Sequence, residues 1–288
     1  MTAETLRQTV PAAWLPWFTA LLVLVLAAAT VEGLVQSRLR HQPYDWRAYA
    51  ASMADAMGRR AVDALGLSIT TPLLAWAWQH RLQTIAIATP AALALLFLGQ
   101  EFSYYWYHRA AHRVRWFWAT HAVHHSPNEL TLAAALRLGW TGKLTGTGLF
   151  FLPMVWLGFP PAAVFGMLAF NLLYQFWLHA PWIPRLGPLE WLLNTPTHHK
   201  VHHAANPEYL DCNYGGVLIV FDRLFGTFVD LRDDLPPRYG LTTPLVTHNP
   251  LRIAAHGWIA LGRDLAAARS WRGRLAVLFG PPGSTHIV

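Results

Sequence analysis

The sequence predicts an all-α fold: a polytopic membrane helical bundle of about four to five spans, with a histidine-rich lobe on its cytoplasmic side. Three observations predict it. Apolar residues make up 54% of the 288 residues and charged residues 13%, against about 45–50% and 25% in soluble domains. The apolar residues gather into runs long enough to cover a hydrocarbon core. Finally, 19 of the 22 Lys and Arg fall within residues 37–62, 108–138 and 181–288, segments that alternating spans would place on one side. Positive charge marks that side as cytoplasmic. The hydrophobicity rules out disorder, and the single cysteine, Cys212, rules out an intrachain disulfide framework and a Cys-rich metal cage. The formal charge of +7 is spread between apolar runs, which fits a membrane protein better than a nucleic-acid binder.

Trp14 to Val35 is the first expected span. Only Arg7 precedes it as a basic residue, and the run exceeds the 7–15 residues of a signal-peptide core, so it is expected to stay as an anchor. Val62 to Trp78 is a weaker span closed by His80 and Arg81. Gln83 to Tyr107 is a stronger one, ending in Phe102, Tyr104, Tyr105, Trp106 and Tyr107, the aromatic composition of a membrane–water boundary. Leu144 to Leu178 suits two spans, with Gly158-Phe159-Pro160-Pro161 as the hairpin turn. Gly142 to Gly148 is rich in glycine but lacks phosphate-loop spacing and a preceding strand; small residues for close helix packing are the better reading. Residues 46–60 and 251–278 mix apolar and basic residues, suiting either a membrane surface or packing on the lobe. The expected divisions are 1–98 (spans and interfacial segment), 99–230 (the histidine-bearing domain) and 231–288 (an amphipathic tail).

Ten of the 15 histidines lie between positions 108 and 203. His108 and His112 stand four apart, while His121, His124 and His125 form H-x-x-H-H, and His199, His202 and His203 repeat that form. Helical positions three and four apart are neighbours, so each motif aims imidazoles at one point. At this histidine content, roughly one chain in twenty-five would carry one H-x-x-H-H by chance, and far fewer would carry two. With an even number of crossings between them, the motifs emerge on one face and can converge. His179 sits at the base of the hairpin at the same depth and is expected to join them. His198 precedes the third motif but points about 100° away from His199. His41, His80, His248, His256 and His286 stand alone and read as ordinary polar residues. Imidazole suits zinc, copper, iron and nickel; eight or nine ligands are too many for one ion, so a dinuclear site is expected. Redox-active iron suits a neighbouring phase rich in unactivated C–H bonds.

The chain resembles the fatty-acid hydroxylase/sterol desaturase superfamily of membrane di-iron oxygenases, from about Gly99 to Phe228. The resemblance is carried by Glu101-Phe-Ser-Tyr-Tyr-Trp-Tyr-His-Arg-Ala-Ala-His112, Trp118-Ala-Thr-His-Ala-Val-His-His-Ser126 and Gln175-Phe-Trp-Leu-His179. It continues through Asn194-Thr-Pro-Thr-His-His-Lys-Val-His-His203, Asn213-Tyr-Gly215 and Asp222-Arg-Leu-Phe-Gly-Thr-Phe228. The run His124-His-Ser-Pro-Asn-Glu-Leu130 and Ala135-Leu-Arg137 look most like the alkylglycerol monooxygenase-like bacterial branch. The resemblance implies iron ligation by His108, His112, His121, His124, His125, His179, His199, His202 and His203. Some members have a further histidine where this chain has Gln175. Asn213 and Asp222 are expected to support the ligands, Asp222 by orienting an imidazole N–H.

What the resemblance implies chemically is O2-dependent hydroxylation or desaturation of a lipid, such as a sterol, fatty acyl chain or ether lipid, by two iron ions in a multi-pass protein of the bacterial inner membrane. No Rossmann fingerprint or His-Pro-Gly-Gly haem motif occurs, so a separate reductase, ferredoxin or cytochrome is expected to supply electrons. Trp106, Trp116, Trp118, Phe176 and Trp177 could line a lipid channel or serve as interface anchors and core packing. A membrane zinc hydrolase and a non-enzymatic haem or metal carrier are the competing classes. The hydrolase lacks H-E-x-x-H and G-x-S-x-G motifs.

Overall fold

The computed structural model describes residues 15–283; Arg7, Trp14 and His286 lie outside the described residues. Among the described residues the fold is all-α, with two isolated β-bridges, Leu193–Leu218 and Ala204–Tyr239. Helix α1 (Leu15–Leu34) continues into a π-helical turn, Val35–Leu39. Trp17, Leu24 and Val31 on it are more than half exposed, as suits a helix in lipid. Its buried acid, Glu32, accepts hydrogen bonds from the Leu132 backbone N–H (2.7 Å) and Trp182 Nε1–H (3.0 Å), tying the helix to the rest of the protein.

The second expected span is broken. Helix α2 (Trp46–Ala64), capped by Asp45, ends before Gly66, which takes φ +70°. Ser68 Oγ then accepts the first amides of α3 (Thr70–Gln79). Ten residues reach only about 15 Å, half a hydrocarbon core. The third expected span starts late. Thr89 caps Ala92 and Pro90 takes the first turn of α4 (Pro90–Arg113). The preceding segment pairs with the hairpin instead, through Leu82 N–H to Trp156 O and Ile85 N–H to Gly158 O. Helix α4 also runs past Tyr107 to Arg113. Tyr104 and Tyr105 are therefore buried helix-interior residues, and only Phe102 and Trp106 of the expected aromatic girdle are exposed. Val114 separates α4 from α5 (Arg115–His121).

The hairpin turn falls at Gly158–Pro161, and its second arm is one helix, α8 (Pro161–Leu178). Its first arm is fragmented into α6 (Gly142–Thr145), left-handed Gly146, a 3-10 turn at Thr147–Phe151 and α7 (Leu152–Leu157). Gly148 abuts Thr70, where a Cβ would lie 2.7 Å from Thr70 Cγ2; this is the close packing expected of its small residues. Among the described residues two helices are long and apolar enough to cross a membrane, Thr19–Leu39 and Pro161–Leu178. The continuous apolar spans expected at 62–78 and 144–157 are absent.

Helix α4 is the central post. Leu96 and Tyr104 on it pack with Met154, Val155, Phe159 and Val164 of the hairpin. Beyond the hairpin lie α9 (Pro196–His202), α10 (Val220–Leu224), α11 (Pro250–Ala267) and α12 (Trp271–Phe279). Helix α11 packs Trp258, Leu261 and Leu265 against Trp116 and Ala119 of α5. Gly257 permits the approach, since a Cβ there would sit 2.5 Å from Ala119 O. The 251–278 stretch is thus packed on the lobe, with Leu251, Ile259 and Trp271 exposed on its outer side.

Candidate metal centre

All nine expected histidines converge. His108, His112, His121, His125 and His202 form one group, and His124, His179, His199 and His203 a second; within each, the available nitrogens lie within 4.8 Å of one another. The groups are adjacent: the His125 and His203 rings stack at 4.3 Å and those of His199 and His202 at 5.3 Å. Helical spacing explains the division. In each H-x-x-H-H the first and last imidazoles, four residues apart, enter one group, while the middle imidazole crosses to the other. His124 therefore joins the second motif's pair, and His202 joins the first motif's.

Backbone carbonyls fix the rings. Nδ1 of His108 bonds Tyr214 O (2.9 Å), His124 bonds Arg137 O (3.0 Å), His179 bonds Gln175 O (2.9 Å) and His202 bonds Cys212 O (2.9 Å). A carbonyl only accepts, so each Nδ1 carries the proton and each Nε2 turns a lone pair inward. Asp211 stands 3.7 Å from His112 Nδ1, an ion-pair distance rather than a hydrogen bond. Burial pushes all nine imidazoles below their ordinary pKa, with His124 at about 4 and His179 at about 3. Neutral imidazole is the metal-binding form.

The donor set fits metal ions. Nε2 atoms approach pairwise at 3.0 Å (His108–His121), 3.2 Å (His125–His121), 3.2 Å (His199–His179) and 3.0 Å (His203–His199). Ligand nitrogens about 2.0–2.1 Å from an ion lie about 3.0 Å apart across a right angle and about 3.4 Å apart across a tetrahedral one. The observed edges are of the length expected for nitrogens that share one ion. Buried Nε2 atoms of His112 and His202 have no protein partner, an arrangement that is costly unless an ion takes the lone pairs.

Two positions near the motifs are not in either group. Gln175 gives its amide to Asn171 Oδ1 and receives Tyr104 OH, so it faces a polar chain along α4 and α8. His198 packs edge-on to Phe228. Asp222 orients no imidazole directly; its carboxylate accepts from Tyr214 N, Gly215 N and Thr227 Oγ1, which places the Tyr214 carbonyl against His108. Asn213 binds His198 O and Val229 O. Of the lone histidines, His80, His248 and His256 bond Trp76 O, Asp45 and Ile253 O respectively.

Sequence reasoning missed the carbonyls of Tyr214, Arg137 and Cys212, since a main-chain acceptor has no residue-type signature. It also missed Glu101, whose buried carboxylate holds Asn171 Nδ2, Val217 N and Leu218 N. An acid in an apolar run was the available signal for it.

The fatty acid hydroxylase family model matches residues 93–227, the stretch that holds α4, α5, α8, α9 and all nine imidazoles. Through this stretch the chain belongs to the fatty acid hydroxylase family. Within reach of that family, the chain is 40% identical to alkylglycerol monooxygenase of Xenopus tropicalis over 218 residues, 76% of this chain and 48% of that protein. It is 35% identical to alkylglycerol monooxygenase of Homo sapiens over 269 residues, 93% of this chain and 58% of that one. It is 30% identical to an ornithine lipid hydroxylase of Rhizobium tropici over 182 residues, 63% of this chain and 51% of that one. The chain spans about half the length of these curated relatives. No solved structure is a significant match.

Proposed function

We propose that this chain is a membrane di-iron oxygenase that hydroxylates, or desaturates, a lipid, with its histidine centre at the cytoplasmic face. The observation that carries the proposal is the pair of adjacent buried imidazole groups, five and four strong. His108, His112, His121, His125 and His202 would hold one iron, and His124, His179, His199 and His203 the other. Two irons there would supply the reductive activation of O2, one oxygen atom entering a lipid C–H bond and the other leaving as water, with two electrons from a separate donor protein. The relatives named for alkylglycerol and ornithine lipid support a lipid substrate.

The chain's own residues give the centre its rigidity. Tyr214, Arg137, Gln175 and Cys212 fix imidazole tautomers through their carbonyls. Glu101 anchors the 217–218 turn to α4, and Tyr104 packs 5.4 Å from His108 beside the first group. Burial of these groups keeps water from the reacting carbon. The competing readings fit less well: no H-E-x-x-H or G-x-S-x-G motif accompanies the imidazoles, and nitrogens 3.0–3.2 Å apart leave no gap for a haem macrocycle.

Lipid profiling tests the proposal. Cells expressing the chain should contain a lipid species shifted by one oxygen atom, or lacking two hydrogens, that disappears with His202→Ala. Identical lipid profiles with and without the variant would refute it.

A further inference from the structure

We propose that electrons enter the metal centre through Trp118. The inference rests on the di-iron reading and deepens it. Eight of the nine imidazoles are buried and His121 is half-buried, so an outside donor must pass each electron across a layer of protein. Among the described residues four aromatic side chains other than histidine lie against the two groups: Tyr104, Tyr107, Trp118 and Tyr214. Tyr104 and Tyr214 are buried, and Tyr107 packs into the apolar cluster between α4 and the hairpin. Trp118 alone of the four joins a partly exposed surface to the ligands without passing through that cluster.

Its position is specific. The indole lies 5.3 Å from His112, 5.6 Å from His125 and 6.3 Å from His121, measured between ring centroids. These are three of the five imidazoles of the first group. His112 also meets Asp211, a third of whose side chain is exposed, so the wall is thin at this corner. Of the five aromatic residues singled out in the sequence, Trp116 is committed to Trp258 and the Thr145 carbonyl, and Phe176 to the core beside Leu132 and Ala180. Trp106 packs on Phe225 and Trp177 on Tyr174. Only Trp118 touches imidazoles.

With iron bound, one electron would leave the reduced iron–sulfur or haem centre of a donor protein, cross the indole and lower by one the charge of the ion that His112, His121 and His125 would help to hold. The donor is oxidised by one electron, Trp118 ends unchanged, and no bond forms or breaks. The net charge of +7 favours an acidic donor by steering its approach.

The test is the rate of reduction of the oxidised, iron-loaded full chain by flash-photoreduced methyl viologen, followed at the iron absorption. Trp118→Leu should slow reduction about tenfold, equivalent to ~1.4 kcal/mol on the barrier, while Trp118→Phe, which keeps a ring, should lose much less. Iron content and the oxidised spectrum of Trp118→Phe should match the parent. An unchanged rate in Trp118→Leu overturns the proposal, as does loss of iron in both variants, which would make the ring a packing element. A parent protein that binds no iron would instead sink the di-iron reading, and metal analysis before the kinetics separates the two failures.

Discussion

Asp222→Asn isolates the support beneath one metal ligand. The carboxylate is fully buried, and Oδ1 accepts Tyr214 N–H (2.8 Å) and Thr227 Oγ1–H (2.7 Å) while Oδ2 accepts Gly215 N–H (2.7 Å). An asparagine has one acceptor oxygen, so its NH2 must face at least one of these donors. Each buried donor left unsatisfied costs about 1–3 kcal/mol, and a hydrogen bond to a charged acceptor is worth about 1.5–3 kcal/mol. Burial raises the Asp222 pKa to about 6, so removing the charge returns part of its desolvation cost. The net expectation is a loss of about 2–4 kcal/mol, or roughly 3–7 °C in Tm. The damage should reach the centre, because the displaced 213–215 turn carries the carbonyl that holds His108 Nδ1; loss of such a support weakens metal binding about 10–100-fold. Scanning calorimetry and iron titration of the purified chain at pH 8 read both effects. Wild-type Tm together with wild-type iron affinity would refute the reasoning.

The exchange of the middle imidazoles, His124 and His202, predicts which substitutions resemble each other. His124→Ala and His203→Ala, from different motifs, should deplete one ion and leave the same residual Mössbauer signal, whereas His121→Ala and His202→Ala should share the other. Signals that sort by motif instead would contradict the grouping. Gly158→Ala should destabilise the chain by about 2 kcal/mol or more, since φ is +120° and a Cβ would meet the Gln83 carbonyl; urea unfolding checks it. Glu32→Ala should cost about 1–3 kcal/mol for the stranded Leu132 amide, visible as faster hydrogen exchange at 130–134.

The centre was more legible than the fold that carries it. Imidazoles spaced one helical turn apart declare their convergence in the sequence, and all nine meet. The hairpin turn was equally plain, because Gly158 and the two prolines after it cannot continue a helix. The spans were less so. Hydropathy registers 62–78 as one run, while Gly66 in the left-handed region and the Ser68 cap divide it. Likewise the polarity of 83–89 does not reveal that Thr89 and Pro90 start α4 or that the segment before it bonds to the hairpin. The allocation of ligands to two groups was hidden for a different reason: it depends on two short helices facing each other, a relation between segments that neither one encodes alone.

That facing relation also governs how the cofactor is assembled. Because each histidine segment lends one finger to its neighbour's grip, seating an ion in either pocket clamps the segment that completes the other. A displacement of either segment therefore disturbs both pockets at once.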